Sequence, residues 1–348
     1  SRGADVRLTI DRDIQAVVER VMNKRVERGA VVVMDPQTGD ILALASRPGF
    51  APDDIGASLA NPHSPLVNRA VTAYPLGSVF KVAVAAAAIE KRVVSLHETL
   101  FDPGYIDVGT KRFKCHRYDE GGHGPITFLD GMAHSCNTVF VEAGLRVGGE
   151  ALVRFAEALG FGATTGVGLP AEDAGVLPDP RSPAAQDVAN LSIGQGRLSG
   201  SPLQVAVMMS TIASGGWLRR PRLVMEVRAE SLGQTRVFKQ PAPVRVLSPD
   251  TCRQVAFMLE AVTRWGTGTG AWVEDAGSCG KTGSAETGRF DDAGQPICHA
   301  WFAGFTPLTR PRLVIVVFVE EGMSGGKAAA PVFAEIARQV LPLLPPDR

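Results

Sequence analysis

Ala30 Val31 Val32 Val33 Met34 is a continuous β-rich run, Asp35 Pro36 Gln37 Thr38 Gly39 carries turn chemistry, and Ile41 Leu42 Ala43 Leu44 Ala45 resumes the apolar pattern. Two short runs separated by a turn containing Pro and Gly predict a β-hairpin. Upstream of it, Val6 to Ile10 reads as a short extended segment and Asp11 to Arg25 has helical spacing. At the far end of the chain, Gly280 to Glu286 reads as an exposed edge segment. Ala300 to Phe305 and Leu313 to Glu320 read as strands, and Ala329 to Leu344 as a closing helix. Strands at both ends of the sequence, with apolar helices between them, predict one mixed or antiparallel sheet covered by helices and exclude a simple βαβ repeat.

Between those ends, Asn61 to Pro75 is irregular and rich in proline, and Val79 to Ile89 is an apolar helix that starts at Gly77 and Ser78. Pro202 to Ala213 and Ser248 to Arg264 are two further helices. The stretch from Ser95 to Arg197 lacks a regular strand repeat and holds helical runs around Phe128 to Leu145 and Ala151 to Leu159. The expected organisation is therefore a lead-in over 1–29, a sheet-containing lobe from 30–94 with 205–348, and a predominantly helical insertion over 95–204. No repeat of 20 to 50 residues is evident.

With 348 residues the chain is long enough to bury a substantial core. Its 36 Lys and Arg balance 36 Asp and Glu, so no global positive field draws it to nucleic acid or an anionic membrane. Five cysteines form no dense disulfide framework. No uncharged apolar run reaches the roughly 18 residues needed to cross a bilayer, and no signal-peptide pattern precedes Ser1, as expected of a processed product or fragment.

Three short motifs carry chemistry. In Tyr74 Pro75 Leu76 Gly77 Ser78 Val79 Phe80 Lys81, a spacing of three puts Ser78 and Lys81 on neighbouring positions of one helical face, with backbone donors of the helix start near the hydroxyl. The second motif is Ser135 Cys136 Asn137, and the third is Lys281 Thr282 Gly283 Ser284. Each alone also fits a helix cap, a loop or an ordinary strand. Their order and settings together reproduce the serine, lysine and amide groups of acyl transfer.

In these motifs the chain resembles the penicillin-binding transpeptidases, specifically the monofunctional class B branch, and the resemblance spans nearly all of 1–348. Ser192 Ile193 Gly194 Gln195 Gly196 followed by Pro202 Leu203 Gln204 is similar to the elongation and sporulation side of that branch. Leu76 departs from the proline that relatives commonly place before the glycine and nucleophile. The resemblance implies an α/β (α+β) fold of the penicillin-binding transpeptidase and serine β-lactamase type, with a largely antiparallel sheet flanked by helices and joined to a helical subdomain. It also implies a peptidoglycan D,D-transpeptidase that crosslinks stem peptides and is acylated by β-lactams. The parent chain would be anchored by a missing segment on the extracytoplasmic face of the bacterial membrane, working with other cell-wall synthesis proteins. A D,D-carboxypeptidase and a catalytically silent β-lactam sensor are the alternatives.

The site that follows has Ser78 as nucleophile and Lys81 as its proton acceptor, since a hydroxyl at its free pKa is a weak nucleophile. Ser135 relays a proton, and Asn137 orients Lys81 and the substrate amide. Lys281 supplies a cation beside Lys81 and, with Ser284 and to a lesser degree Thr282, recognises the terminal carboxylate. Gly283 permits close approach of substrate, and the N–H groups of Ser78 and Ser284 form the oxyanion hole. No cofactor and no metal is expected, because Cys115, His116, His123, His134 and Cys136 lack a paired Cys-x-x-Cys spacing. Gly266 to Gly270 lacks a phosphate-loop ending and reads as a flexible link. With the extracytoplasmic setting that the resemblance implies, Cys279 and Cys298 are expected to form a disulfide.

Overall fold

The computed structural model describes residues 3–179, 181, 184–229 and 234–345. Strand β1 (Asp5–Leu8) leads into α1 (Arg12–Arg25), whose N-cap Asp11 accepts from the Asp13 and Ile14 backbone N–H groups. The hairpin β2 (Gly29–Met34) and β3 (Ile41–Arg47) follows, then α2 (Ile55–Ala60). A 3-10 turn over Gly77–Phe80 runs into α3 (Lys81–Glu90). Next come the short strands β4 (Thr99–Asp102), β5 (Tyr105–Val108), β6 (Lys111–Lys114) and β7 (Gly124–Thr127). They precede α4 (Phe128–Ala133), α5 (Asn137–Val147), α6 (Gly149–Ala158) and α7 (Ala185–Ser192). Helix α8 (Pro202–Ala213) is followed by β8 (Trp217–Leu218), β9 (Val224–Ala229), β10 (Gln234–Val237) and β11 (Val244–Arg245). The chain then forms α9 (Pro249–Arg264), β12 (Cys279–Phe290), β13 (Pro296–Thr306), β14 (Leu313–Val319) and α10 (Ala330–Val340).

The main sheet has the order β12-β13-β14-β2-β3 with every neighbouring pair antiparallel. The two ends of the sequence thus share one sheet, as the strand patterning predicted. Its central strands are buried along their whole length, because both faces are covered and both faces must then be apolar. Alternation still sorts the side chains: Val31, Val33, Ile315 and Val317 join Val18 and Met22 of α1 and Phe333 and Ile336 of α10. Val32, Met34, Val314, Val316 and Phe318 face a larger core built on α3, α8 and α9. This is the period of two read across the sheet.

Helix α3, with nine of its ten residues buried, is apolar on all sides and runs through that larger core. Ser201 and Gln204 form a reciprocal capping box at the start of α8, and the Gln204 amide also donates to the Ala163 and Ala174 carbonyls. The segment 95–204, expected as helical, carries α4 to α7 but also two ribbons, β4 with β7 and β5 with β6. These four-residue strands are too short for their alternation to stand out from loop sequence.

The expected Cys279–Cys298 disulfide is absent, and both residues are free thiols. The hairpin register pairs Cys279 with Phe305 and Cys298 with Glu286. The two cysteines therefore sit seven residues apart along the ladder, roughly 23 Å at the rise of an extended chain.

Candidate active site

Ser78 lies in the 3-10 turn one turn ahead of Lys81, and the Lys81 N–H donates to its carbonyl oxygen. Gly77 adopts φ +56°, and a Cβ there would meet the Ser284 oxygen at 2.8 Å, so the turn rests directly against β12. On its other side the Gly77 N–H donates to the Gly194 oxygen at 2.9 Å, and Trp301 Nε1 donates to the Pro75 oxygen at 3.1 Å. Gly194, at φ +74°, leaves so little space that a Cβ would lie 1.8 Å from the Gly77 oxygen. Sequence reading found the 192–196 stretch by resemblance, but not that it clamps the turn carrying Ser78.

Lys81 is fully buried. Its Nζ donates to Asn137 Oδ1 at 2.7 Å and to the Ser135 backbone oxygen at 2.7 Å, and it lies 3.3 Å from Ser135 Oγ. Ser135 adopts φ +57°, a left-handed conformation that costs a non-glycine residue roughly 1–2 kcal/mol, and this bend turns its carbonyl and hydroxyl toward the same amine. The Asn137 amide also donates to the Lys114 oxygen at 2.9 Å, which fixes its orientation with the oxygen toward Lys81. The first two motifs are thus joined through one lysine.

Burial pushes Lys81 down to about 8, against the opposing pull of the Cys136 and Cys115 thiols. Lys281 is also fully buried and is driven well below the ordinary lysine value, first by burial and then by repulsion from Lys81. Burial is thus the principal cause of the depressed Lys81, and Lys281 is the neighbouring cation, itself lowered by Lys81.

The third motif needs a further correction. Strand alternation puts Thr282 and Ser284 on one face and Lys281 with Gly283 on the other. Lys281 points inward, where its Nζ donates to the Thr282 oxygen at 3.1 Å. Ser284 is exposed and Thr282 nearly buried, so these two hydroxyls, rather than Lys281 with Ser284, form the matched pair on β12. A Cβ on Gly283 would press on Val79 at 3.0 Å and the Leu76 oxygen at 3.2 Å, so this glycine serves the packing of β12 on the Ser78 turn.

The flexible link expected over Gly266 to Gly270 is held at Thr267. The N–H of this residue donates to the Ala133 oxygen at 3.0 Å, and its hydroxyl lies 2.6 Å from that of Thr282. Among the larger surface concavities, one of about 690 Å³ is lined by Asp11, Asp35, Ala213 and Leu343, none of which belongs to the site.

A buried amine shifted toward its neutral form one turn from Ser78, with the Thr282 and Ser284 hydroxyls on one face of the neighbouring strand, suits proton transfer during attack on a carbonyl. The profile of the penicillin binding protein transpeptidase domain matches residues 29–338. The chain belongs to that family. The transpeptidase domain is 33% identical to stage V sporulation protein D of Bacillus subtilis over 98% of its length and 54% of that protein. It is 31% identical to peptidoglycan D,D-transpeptidase MrdA of Acinetobacter baumannii over 96% of its length and 54% of that protein. The chain thus spans about half the length of these relatives. The crystal structure of penicillin binding protein 3 from Mycobacterium tuberculosis superposes with TM-score 0.86 at 32% identity, covering 98% of this chain and 80% of that one. The penicillin G acyl-enzyme of penicillin-binding protein A from M. tuberculosis gives TM-score 0.86 at 28% identity, covering 98% and 81%. The mixed fold, with antiparallel sheets flanked by helices, is that of the family. The sporulation protein and the MrdA transpeptidase match to a similar degree, so the branch is not separated. Among the described residues no helix is long and apolar enough to cross a membrane.

Proposed function

We propose that this domain crosslinks peptidoglycan stem peptides through an acyl-enzyme on Ser78, the same serine that β-lactams acylate. The observation that carries the reading is the buried Lys81, held by Ser135 and Asn137 one turn from Ser78 and shifted toward its neutral form. Ser78 Oγ attacks the carbonyl of the penultimate D-alanine while Lys81 Nζ takes its proton, and a tetrahedral oxyanion forms beside the N–H groups of Ser78 and Ser284. Collapse breaks the peptide C–N bond. The proton returns through the Ser135 hydroxyl to the departing D-alanine amine, leaving an ester on Ser78. An incoming amine then attacks the ester and gives its proton to Lys81. Its new C–N bond replaces the Ser78 C–O bond, and the proton returns to Ser78.

In this reading Thr282 and Ser284 receive the terminal carboxylate by hydroxyl hydrogen bonds, and Lys281 contributes from beneath the strand. The longer parent acts on the extracytoplasmic face of the membrane, where stem peptides lie, with other cell-wall synthesis proteins as partners.

Intact-protein mass spectrometry after incubation with penicillin G tests the site: one adduct is expected, mapping to Ser78 and absent from folded Ser78→Ala protein. The same adduct on another residue would overturn the assignment. Incubation with donor and acceptor stem peptides then separates the reactions, because transfer gives a crosslinked dimer, a carboxypeptidase gives only the shortened donor, and a sensor gives neither.

A further inference from the structure

Beside the site, four potential ligands come together from four separate segments. Asp102 ends β4, Cys115 follows β6, His123 precedes β7, and Cys136 is the middle residue of the Ser135–Asn137 turn. One ligand atom from each lies within 4.8 Å of all the others. Asp102, Cys115 and Cys136 are buried, and the His123 side chain is only 7% exposed. We propose that Asp102, Cys115, His123 and Cys136 bind a tetrahedral divalent cation of the zinc class, which fastens the Ser135–Asn137 turn.

The spacing of the donors supports this. Zinc bonds of about 2.3 Å to sulfur and 2.0–2.2 Å to nitrogen and oxygen give tetrahedron edges of about 3.8 Å for sulfur to sulfur and 3.5–3.6 Å for sulfur to nitrogen or oxygen. Here Cys115 Sγ lies 3.8 Å from Cys136 Sγ and 3.5 Å from His123 Nδ1, and Cys136 Sγ lies 3.3 Å from Asp102 Oδ2. A fourth edge, His123 Nδ1 to Asp102 Oδ2, is a hydrogen bond of 2.6 Å and must open by under an ångström to admit the ion, and the other two lie within 4.8 Å. A disulfide needs sulfurs about 2.05 Å apart and would leave the carboxylate and imidazole unaccounted for.

The surroundings are arranged as ligand supports are. Asp102 Oδ1 accepts from the Gly104 N–H at 2.8 Å, leaving Oδ2 turned to the cluster. Thiolate sulfur, imidazole nitrogen and carboxylate oxygen are all zinc donors, and four protein donors leave no open position for substrate. The sequence spacing argued against a metal only because the Cys-x-x-Cys pattern arises when neighbouring residues supply two ligands, whereas these come from positions 102, 115, 123 and 136.

The consequence for the site is positional. Cys136 stands between Ser135 and Asn137, both of which hold Lys81, and Cys115 adjoins Lys114, whose oxygen holds the Asn137 amide. An ion joining Cys136 to Cys115 would set the left-handed Ser135 turn at a fixed distance from Lys81. Any effect on acylation rests on the acyl-transfer reading above, but metal binding itself does not: Ser78→Ala protein should bind the same ion.

The test measures metal content of the purified chain after dialysis against metal-free buffer, followed by cobalt titration of chelator-stripped protein. One zinc per chain is expected, with sulfur-to-cobalt charge-transfer and tetrahedral d–d absorption on titration. His123→Ala and Cys115→Ser should lose that stoichiometry, and Cys298→Ser, outside the cluster, should keep it. Stripping should lower the melting temperature and slow penicillin acylation about tenfold or more, both restored by zinc, since displacing a positioning group by an ångström has effects of that order. Stripped wild-type protein that takes up no cobalt would overturn the proposal whatever the variants do. So would a Cys115–Cys136 disulfide found in non-reducing peptide maps of the purified chain.

Discussion

Lys81 Nζ, on a fully buried side chain, donates to Asn137 Oδ1 at 2.7 Å. An amide accepts this bond without adding charge, so the lysine can lose its proton at modest cost. Asn137→Asp would put a carboxylate at the same place and favour the ammonium. The pH profile of acylation by a fluorescent penicillin should then move upward by about one unit or more, with slower acylation at neutral pH. An unmoved profile in folded Asn137→Asp protein would show that this contact does not govern the proton on Lys81.

The unmodified domain should itself show a single rise with pH. Lys81 sits at about 8, so below that value it is mostly cationic and cannot take the Ser78 proton. The acylation rate constant should climb about tenfold per pH unit on the acid side and level off above pH 8. The stability contribution has a defined sign as well. The folded value is depressed from 10.5, so the folded state binds fewer protons between pH 8 and 10.5, and the destabilisation from burying Lys81 is relieved as pH rises through that window. Stopped-flow acylation and urea midpoints across pH 6 to 10 measure the two effects.

Gly194→Ala should damage the site from a distance. The new methyl would overlap the Gly77 oxygen and would sit at a left-handed φ of +74°, where alanine is strained by roughly 1–2 kcal/mol before any clash. The turn carrying Ser78 must shift, so penicillin acylation should fall by about a hundredfold. Circular dichroism should still show the folded spectrum, with a lowered melting temperature.

Arg69 ties the irregular segment ahead of the nucleophile to the sheet. Its side chain is 5% exposed, and it bonds Glu320 at 2.8 Å and the His63 and Ser64 carbonyls. Replacing it with methionine leaves Glu320 nearly buried without its partner, at a cost of about 3 kcal/mol. Urea unfolding of Arg69→Met should show this as a lower midpoint with an unchanged slope.

Thr267→Val removes the hydroxyl 2.6 Å from that of Thr282 while keeping the side-chain shape. With Thr282 thus unpaired, β-lactam acylation should weaken by about fivefold, the equivalent of one hydrogen bond. Thr267→Ser should restore it. Equal losses in both variants would point to packing instead.

The elements visible in the sequence were those with long, uniform patterns. Leu313 to Val319 and Ala30 to Met34 are continuous apolar runs because both sheet faces are covered, and α3 is apolar all round because it is buried all round. The ribbons of β4 to β7 escaped because strands such as Lys111–Lys114 bury one residue in four, which matches no long-range template. Asp102 escaped for a different reason: one aspartate among many has no local signature, and only the β4–β7 pairing carries it to His123.

The sequence by itself determined the family, the identity of the sheet strands and the three motifs, because periodicity and motif spacing are local properties encoded within a few residues. The tertiary structure alone decided which motif residues meet. Lys81, Ser135 and Asn137 converge because α3 packs on α5 within one core, and the two hydroxyls of β12 face one way because register and pleat set direction. It also decided that Cys279 and Cys298 stay apart while Cys115 and Cys136 approach to 3.8 Å, because contacts between distant segments are fixed by packing and strand register, which no short stretch of chain encodes.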